Sequence, residues 1–320
     1  MLENINIIDY KCFKDFKLDG IKRINIISGG NNVGKTALLE ALFIENSNPI
    51  NALRVIAINR DIKEKYFQNF IQKIKYSIAS SNKDLRFEVK KRESLNKKES
   101  EEKTKLNGDY EDFYCLYCNE KLILTPLVQF EMKEDNEFKY INSSKPSNQK
   151  LIKLYSKIQT LGWQHKFLKY LQLLDSNIQW LEPQLINDEL VLRVNLANPE
   201  ISLITSELGE GVNRYIEILA TLLSNSGQSI FIDEFENGLH YSKLLDIAKA
   251  IIEIAEEDIQ VFITTHDKET IEAFAKASEE LSFKDISSIE LYKDDENIIH
   301  PIVMDYDNII DGIEMGEDFR

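Results

Sequence analysis

INIISGGNNVGKTALLE, from Ile24 to Glu40, is an apolar β-run, a glycine-rich turn of the form Gly29-xxxx-Gly34-Lys35-Thr36, and the first turns of a helix. A turn of this kind is suited to a polyanion. Gly29, Gly30 and Gly34 let backbone N–H groups curl round a phosphate with no Cβ in the way. The positive end of the helix that begins near Lys35 adds to the attraction. In this pattern Lys35 reaches the β- and γ-phosphates of a nucleoside triphosphate and the Thr36 hydroxyl ligates Mg2+. Asn31, Asn32 and Val33 complete the phosphate-binding turn. The bland alternative is a chance loop. Against it stand the apolar strand before the turn and the amphipathic ALLEALFI after it, the context that the motif requires.

The partner of such a turn is a second apolar strand ending in an acid that holds the metal, and SIFIDEFE, Ser229 to Glu236, has that form. Ile230, Phe231 and Ile232 read as a central strand buried on both faces, which puts Asp233 at its carboxyl end, where open α/β sheets bind ligands. Glu234 follows at once and points to the other side of the strand end, the place for a general base acting on the attacking water. Taken alone, two acids at a strand end also suit a solvated edge; the turn at 29–36 favours the metal and base roles. A third run, QVFITTHD from Gln260 to Asp267, ends in the same way with His266 at its tip. An imidazole there can donate to a γ-phosphate oxygen. His165, His240 and His300 have no such placement and are expected to be structural.

Ser206-Glu-Leu-Gly209-Glu-Gly211 opens a helix that runs on through NRYIEILATLL at the spacing of a buried face. Its plain reading is an N-cap and a turn. Its position shortly before the acidic strand is that of a loop that clamps a nucleotide across a subunit interface.

These four pieces together, GGNNVGKT, SELGEG, IDEFENGLH and ITTHD, resemble an ABC-type ATPase of the SMC-like group. Within it the chain looks most like the ATPase half of the overcoming-lysogenization-defect (OLD) proteins and the stand-alone ATPases of two-gene prokaryotic immunity systems such as PARIS and Septu. The opening ENINIIDYKCFKDFKLDG and the closing IEMGEDFR extend the likeness over nearly the whole chain. The resemblance implies an α/β fold, a P-loop NTPase of ABC-ATPase head type with a mixed central sheet, an antiparallel β subdomain and a helical arm subdomain. It implies ATP and Mg2+ as cofactors and a homo-oligomer, at least a dimer, in which Ser206, Gly209 and Gly211 complete the site of another subunit. It also implies a separate effector protein, such as a TOPRIM-type nuclease. SELGEG departs from the LSGGQ-like loop of transporters, NGLHYSKLL lacks a transporter's Pro-containing continuation, and no glutamine stands in an obvious lid position. These departures tilt the resemblance away from transport. Asn237 and His240 are placed to face a partner.

With 54 acids against 39 bases the net charge is −15, which disfavours tight, autonomous binding of nucleic acid. The run Lys83 to Lys105 is basic but interrupted by acids, and is read as a solvated loop or hairpin tip. Three cysteines and no signal-peptide pattern point to a reducing cytoplasm, and Cys115 and Cys118, a CxxC without a second pair, read as two incidental thiols in a strand. No run of eighteen apolar residues suggests a membrane span. Residues 1–45 and 176–320 are expected to form the nucleotide-binding core, 46–147 an inserted helix and antiparallel strands (LRFEV, DFYCLYC, KLILTPLVQFEM, EFKYI), and 148–175 a helical arm followed by a hairpin. Helices near Asn213, Ser242 and Lys268 alternate with strands at Ile230, Val261 and Ile289, as in a parallel sheet with crossover helices. Asp305-Tyr-Asp307 is a DxD with only thirteen residues after it, read as part of the ATPase and not as a nuclease metal site, so any nuclease is expected on another chain. Two functions remain open at this level: an ATPase that drives a separate effector in anti-phage defence, and an ATP-gated clamp or scaffold in DNA repair or toxin sequestration.

Overall fold

The computed structural model of the protein describes residues 1–62, 75–93, 112–124, 139–198 and 202–315. The chain opens with β1 (Asn4–Tyr10), β2 (Phe13–Asp19), β3 (Ile24–Gly29), α1 (Lys35–Glu45) and α2 (Pro49–Asn59). Next come β4 (Tyr76–Ala79), β5 (Asp84–Glu93), β6 (Asp112–Cys118), β7 (Lys121–Leu124) and β8 (Tyr140–Ile141). After α3 (Asn148–Thr160) and α4 (Gln164–Leu171) follow β9 (Ile178–Ile186), β10 (Glu189–Leu196) and β11 (Ser202–Ile204). The last third alternates: α5 (Glu210–Leu223), β12 (Ser229–Ile232), α6 (Leu244–Ala255), β13 (Gln260–Thr264), α7 (Lys268–Leu281), β14 (Ile286–Lys293), β15 (Ile299–Asp305) and α8 (Tyr306–Met315).

The central sheet has the order β15-β14-β3-β13-β12-β8, parallel from β14 to β8, with β15 antiparallel on the edge. Every residue of β3 and β13 is buried, as strands covered on both faces require. Side chains alternate between the two covers. Ile24, Ile26, Ile230, Ile232, Val261 and Ile263 pack with α5, α6 and α7, whereas Ile27, Phe231, Phe262 and Ile289 pack with α1, α2 and the antiparallel layer. The fold is thus a mixed α/β fold, as expected.

The antiparallel sheet has the order β2-β1-β4-β5-β6-β7, so the strands of the 46–147 block extend a sheet begun by the opening hairpin. One expectation fails here. EFKYI was grouped with these antiparallel strands, but Tyr140 and Ile141 pair parallel with Phe231 and Ile232 at the edge of the central sheet. Both residues are buried, and the Tyr140 ring meets Phe43 edge-on at 5.3 Å. A strand this short, apolar on both faces, belongs where helices and sheet cover it. Among the described residues, helical spacing over Asn48 to Ser81 gives a helix only as far as Asn59, Tyr76–Ala79 form β4 instead, and Asp84–Glu93 of the charged run form β5; residues 63–74 and 94–105 lie outside the described residues.

The 148–175 segment forms two helices that pack on α5 through Leu151, Leu154, Tyr155, Ile158 and Phe167. The hairpin after it is present as β9 and β10, joined at Asn187 and Asp188, both with positive φ as a tight hairpin turn demands. Asp305 caps α8 by accepting from Asn308, and Asp307 lies 3.5 Å from Lys284, so the DxD serves helix and surface. Among the described residues no helix is long and apolar enough to cross a membrane, and no cluster of metal-binding side chains forms around Cys118 or elsewhere.

Candidate active site

Because β3, β13 and β12 lie side by side in register, with Ile26 opposite Ile263 and Ile263 opposite Ile232, their carboxyl ends finish on one line. The turns that follow them, 29–36, 264–267 and 233–236, therefore converge although the sequence separates them widely.

The first turn is built by conformation. Gly29, Asn32 and Gly34 have φ of 130°, 60° and 101°, a left-handed sequence that wraps the chain back on itself. A Cβ on Gly29 would run into the Leu291 carbonyl oxygen, and one on Gly34 would lie 2.7 Å from Cys12 Sγ. Gly30 differs: its φ is not positive, and a Cβ would meet only Val33 at an ordinary 3.8 Å. The backbone path itself therefore requires glycine at Gly29 and Gly34 and does not require it at Gly30. Val33 is buried beneath the turn, and Asn31 is exposed above it. No side chain caps α1, whose first turn also lacks an acid, so its N–H groups and positive end serve the turn.

Lys35 folds over the same loop. Its Nζ donates to the carbonyls of Gly29 at 2.6 Å and Gly30 at 2.8 Å, and stands 3.2 Å from His266 Nδ1. Burial pushes its pKa down, and Glu236, Glu234 and Asp233 push back. Next to it, Thr36 Oγ1 donates to Asp233 Oδ1 at 3.1 Å across 197 positions of sequence. Asp233 is 7% exposed and also accepts from Thr264 Oγ1 at 2.7 Å. Burial raises its pKa, with the two threonine hydroxyls opposing. A hydroxyl and a carboxylate so placed are hard oxygen donors, the set a divalent cation such as Mg2+ takes together with phosphate oxygens and water.

Glu234 turns the other way, with φ 49°, and is half-buried where Asp233 is buried. The left-handed backbone of a residue with a side chain costs on the order of 1–3 kcal/mol and persists only where its surroundings over-determine it. Here Thr264 Oγ1 accepts the Glu234 N–H at 2.7 Å, and buried Arg214 donates through Nη2 to the carbonyls of Asp233 at 2.6 Å and Glu234 at 3.5 Å. Glu234 Oε1 lies 3.9 Å from His266 Nε2, and Asn237 donates to Oε2 at 3.2 Å. His266 thus bridges the lysine and the proposed base, while its main-chain N–H donates to Glu236 Oε1 at 2.6 Å.

Lys35, Thr36, Asp233, Glu234 and His266 are therefore brought together. The 206–211 loop is not: among the described residues no hydrogen bond or ion pair joins it to 29–36. It docks instead behind the acidic strand. Gly211 approaches the Gly238 carbonyl so closely that a Cβ would collide, whereas Gly209, the N-cap of α5, is exposed with nothing within 4 Å. Asn213 holds the loop by donating to Thr205 and Gly209 carbonyls at 2.8 and 3.3 Å. Ser206 lies in a single 3-10 turn, Thr205–Glu207.

Reasoning from sequence missed Thr264, Arg214 and Glu236. Thr264 is legible afterwards as the residue two before the histidine in ITTHD; Arg214 sits in an amphipathic helix like any surface arginine, and only its burial at 3% marks it. Asn142, directly after β8, stands beside Asp233 and presents its carbonyl to Arg214. His240 accepts the Ser242 N–H in a 3-10 turn with its ring tilted against exposed Tyr241 at 4.5 Å, and His300 pairs with Asp294 at 2.8 Å.

A family model described as "AAA domain, putative AbiEii toxin, Type IV TA system" matches residues 24–272. A Helicobacter pylori (strain ATCC 700392 / 26695) protein named ATP/GTP phosphatase is 27% identical, over 94% of this chain and 95% of its own length. Among solved structures, an SMC head bound to the C-winged helix domain of ScpA superposes with a TM-score of 0.55 at 11% identity, covering 95% of this chain and 98% of that one. The Smc head domain with an extended coiled coil, bound to the C-terminal domain of ScpA derived from Pyrococcus furiosus, gives 0.54 at 9% identity and 98% of both chains. At such identities the likeness is one of fold, and the fold is that of an ABC-type head.

Proposed function

Because the chain belongs to this AAA-domain family and is an ATP-hydrolysing enzyme, we propose that it turns over ATP with Mg2+ in a dimer or higher oligomer, as the ATPase subunit of an anti-phage defence system. The observation that carries the chemistry is the Thr36–Asp233 contact at 3.1 Å, with Lys35 on one side and Glu234 and His266 on the other. Lys35 binds the β- and γ-phosphates once it leaves the loop carbonyls, and Thr36 and Asp233 hold the cation. A Mg2+ held by these two oxygens would supply positive charge to offset that developing on the phosphate oxygens. Glu234 takes the proton of the attacking water, and His266 orients toward the γ-phosphate.

An oligomer is supported by the 206–211 loop, which among the described residues makes no bond to its own phosphate turn and leaves Gly209 exposed. A defence role is supported by the family's description, which names putative toxins of type IV toxin–antitoxin systems. A separate effector, such as a TOPRIM-type nuclease, rests on the OLD-like resemblance of the sequence. The alternative is an ATP-gated clamp or scaffold in DNA repair or toxin sequestration, for which the closed state itself is the output.

Phosphate release and nucleotide binding test this directly, with ATP and GTP compared. Lys35→Ala is expected to weaken ATP binding about a hundredfold or more, since two hydrogen bonds to a charged group are worth roughly 1.5 kcal/mol or more each. Glu234→Gln is expected to retain binding and lose about 10²–10⁴ in turnover. In cells challenged with phage, loss of protection by Glu234→Gln supports a turnover-driven switch, and retained protection supports the clamp. Unaltered binding by Lys35→Ala removes the proposal.

A further inference from the structure

Glu236 is the third carboxylate of the acidic turn and has no part in the phosphate, metal or base roles above. Its Oε1 accepts the His266 main-chain N–H at 2.6 Å, and its Oε2 is buried without a hydrogen-bond partner. A carboxylate oxygen kept from water without a partner is costly, so the side chain is held there by what the other oxygen does. What it does is tie the turn after β13 to the turn after β12. On the far side of that tie the His266 ring stands between Lys35, 3.2 Å from Nδ1, and Glu234, 3.9 Å from Nε2. An ammonium only donates, so Nδ1 accepts from Lys35 and the neutral ring carries its proton on Nε2, facing Glu234.

We propose that Glu236 is a positioning residue for hydrolysis: by holding the His266 main chain it sets the imidazole in place, and with it the Nε2–H tautomer, between Lys35 and Glu234. This rests on the reading of the site as an ATPase. The effect of Glu236 on turnover is exerted through His266, not through contact with substrate.

The test is a double-mutant cycle in the full-length protein with ATP and Mg2+. Glu236→Ala is expected to lower kcat on the order of 10²-fold, as misplacing a positioned group does, with KM for ATP little changed. Glu236→Gln keeps an oxygen to accept from the His266 amide and is expected to stay within a few-fold of the unmodified protein. In a His266→Ala background, Glu236→Ala is expected to cost little more. Equal losses from Glu236→Ala with and without the imidazole, or a Gln variant as impaired as the Ala variant, overturn the proposal. A His266→Ala protein with full turnover overturns it too.

A second readout needs no turnover. Ring ¹⁵N shifts of His266 at mildly alkaline pH are expected to show a fixed Nε2–H tautomer in the unmodified protein and in Glu236→Gln, and averaging between tautomers in Glu236→Ala. Averaging in the Gln variant as well overturns the proposal even if the Ala variant fails to fold. If phosphate release proves independent of Lys35, the ATPase reading falls, while the ring shifts still decide whether Glu236 places His266.

Discussion

Asp233 shows how one residue carries both the cost and the use of the site. It is buried at the end of β12 with two hydroxyl donors, and burial raises its pKa above the ordinary range. A carboxyl whose folded pKa exceeds its unfolded value contributes stability that is fully present below the unfolded pKa and is lost as pH rises through the folded one. Asn cannot ionise and keeps the accepting oxygen. In thermal denaturation without nucleotide or metal, the Tm of Asp233→Asn relative to the unmodified protein should therefore climb as pH is raised from about 4, the unfolded value, toward neutral. A gap that narrows over that window contradicts the assigned direction. The same substitution should abolish Mg2+-dependent turnover, so stability and activity are expected to move in opposite senses, as at sites where function opposes stability.

At the scale of elements, α5 and the acidic strand are joined through glycine. Gly211, in the first turn of α5, lies against the Gly238 carbonyl with no room for a Cβ, whereas Gly209, two residues earlier at the N-cap, has open space. Gly211→Ala is thus expected to destabilise by about 1–3 kcal/mol, the usual cost of overpacking, against less than about 1 kcal/mol for Gly209→Ala, an exposed N-cap. Chemical denaturation of the two variants checks the contrast, and equal costs would remove the close approach as its cause. Arg214 works across the same junction, from α5 to the carbonyls of Asp233 and Glu234. It is paired in turn with buried Glu217, which Lys150 of α3 approaches at 2.7 Å. A chain of charges therefore links the 148–175 helices to the end of β12, with Glu217 and Arg214 buried between half-buried Lys150 and the strand end.

For the whole molecule, the phosphate turn and the 206–211 loop lie on one chain yet make no bond to each other among the described residues, which motivates assembly. Specific activity is expected to rise with protein concentration, and a flat rate over a roughly hundredfold dilution series would count against it. Much of this architecture was legible from local sequence. The runs ahead of Gly29, Asp233 and His266 are apolar without alternation because both faces of a parallel sheet are covered, and Gly29, Gly34, Thr36, Asp233 and Glu234 announce themselves by spacing from those runs. Such signals are local: backbone conformation, two-sided burial and the chemistry of a strand end are set within a few residues. Strand order is not. That β13 lies between β3 and β12, that Tyr140 and Ile141 leave the antiparallel strands for the central sheet, and that Arg214 and Glu236 hold the site from behind are consequences of packing between segments far apart. An arginine or glutamate carries no mark of burial in its own neighbourhood; only the fold removes it from water, and with that its charge becomes structural.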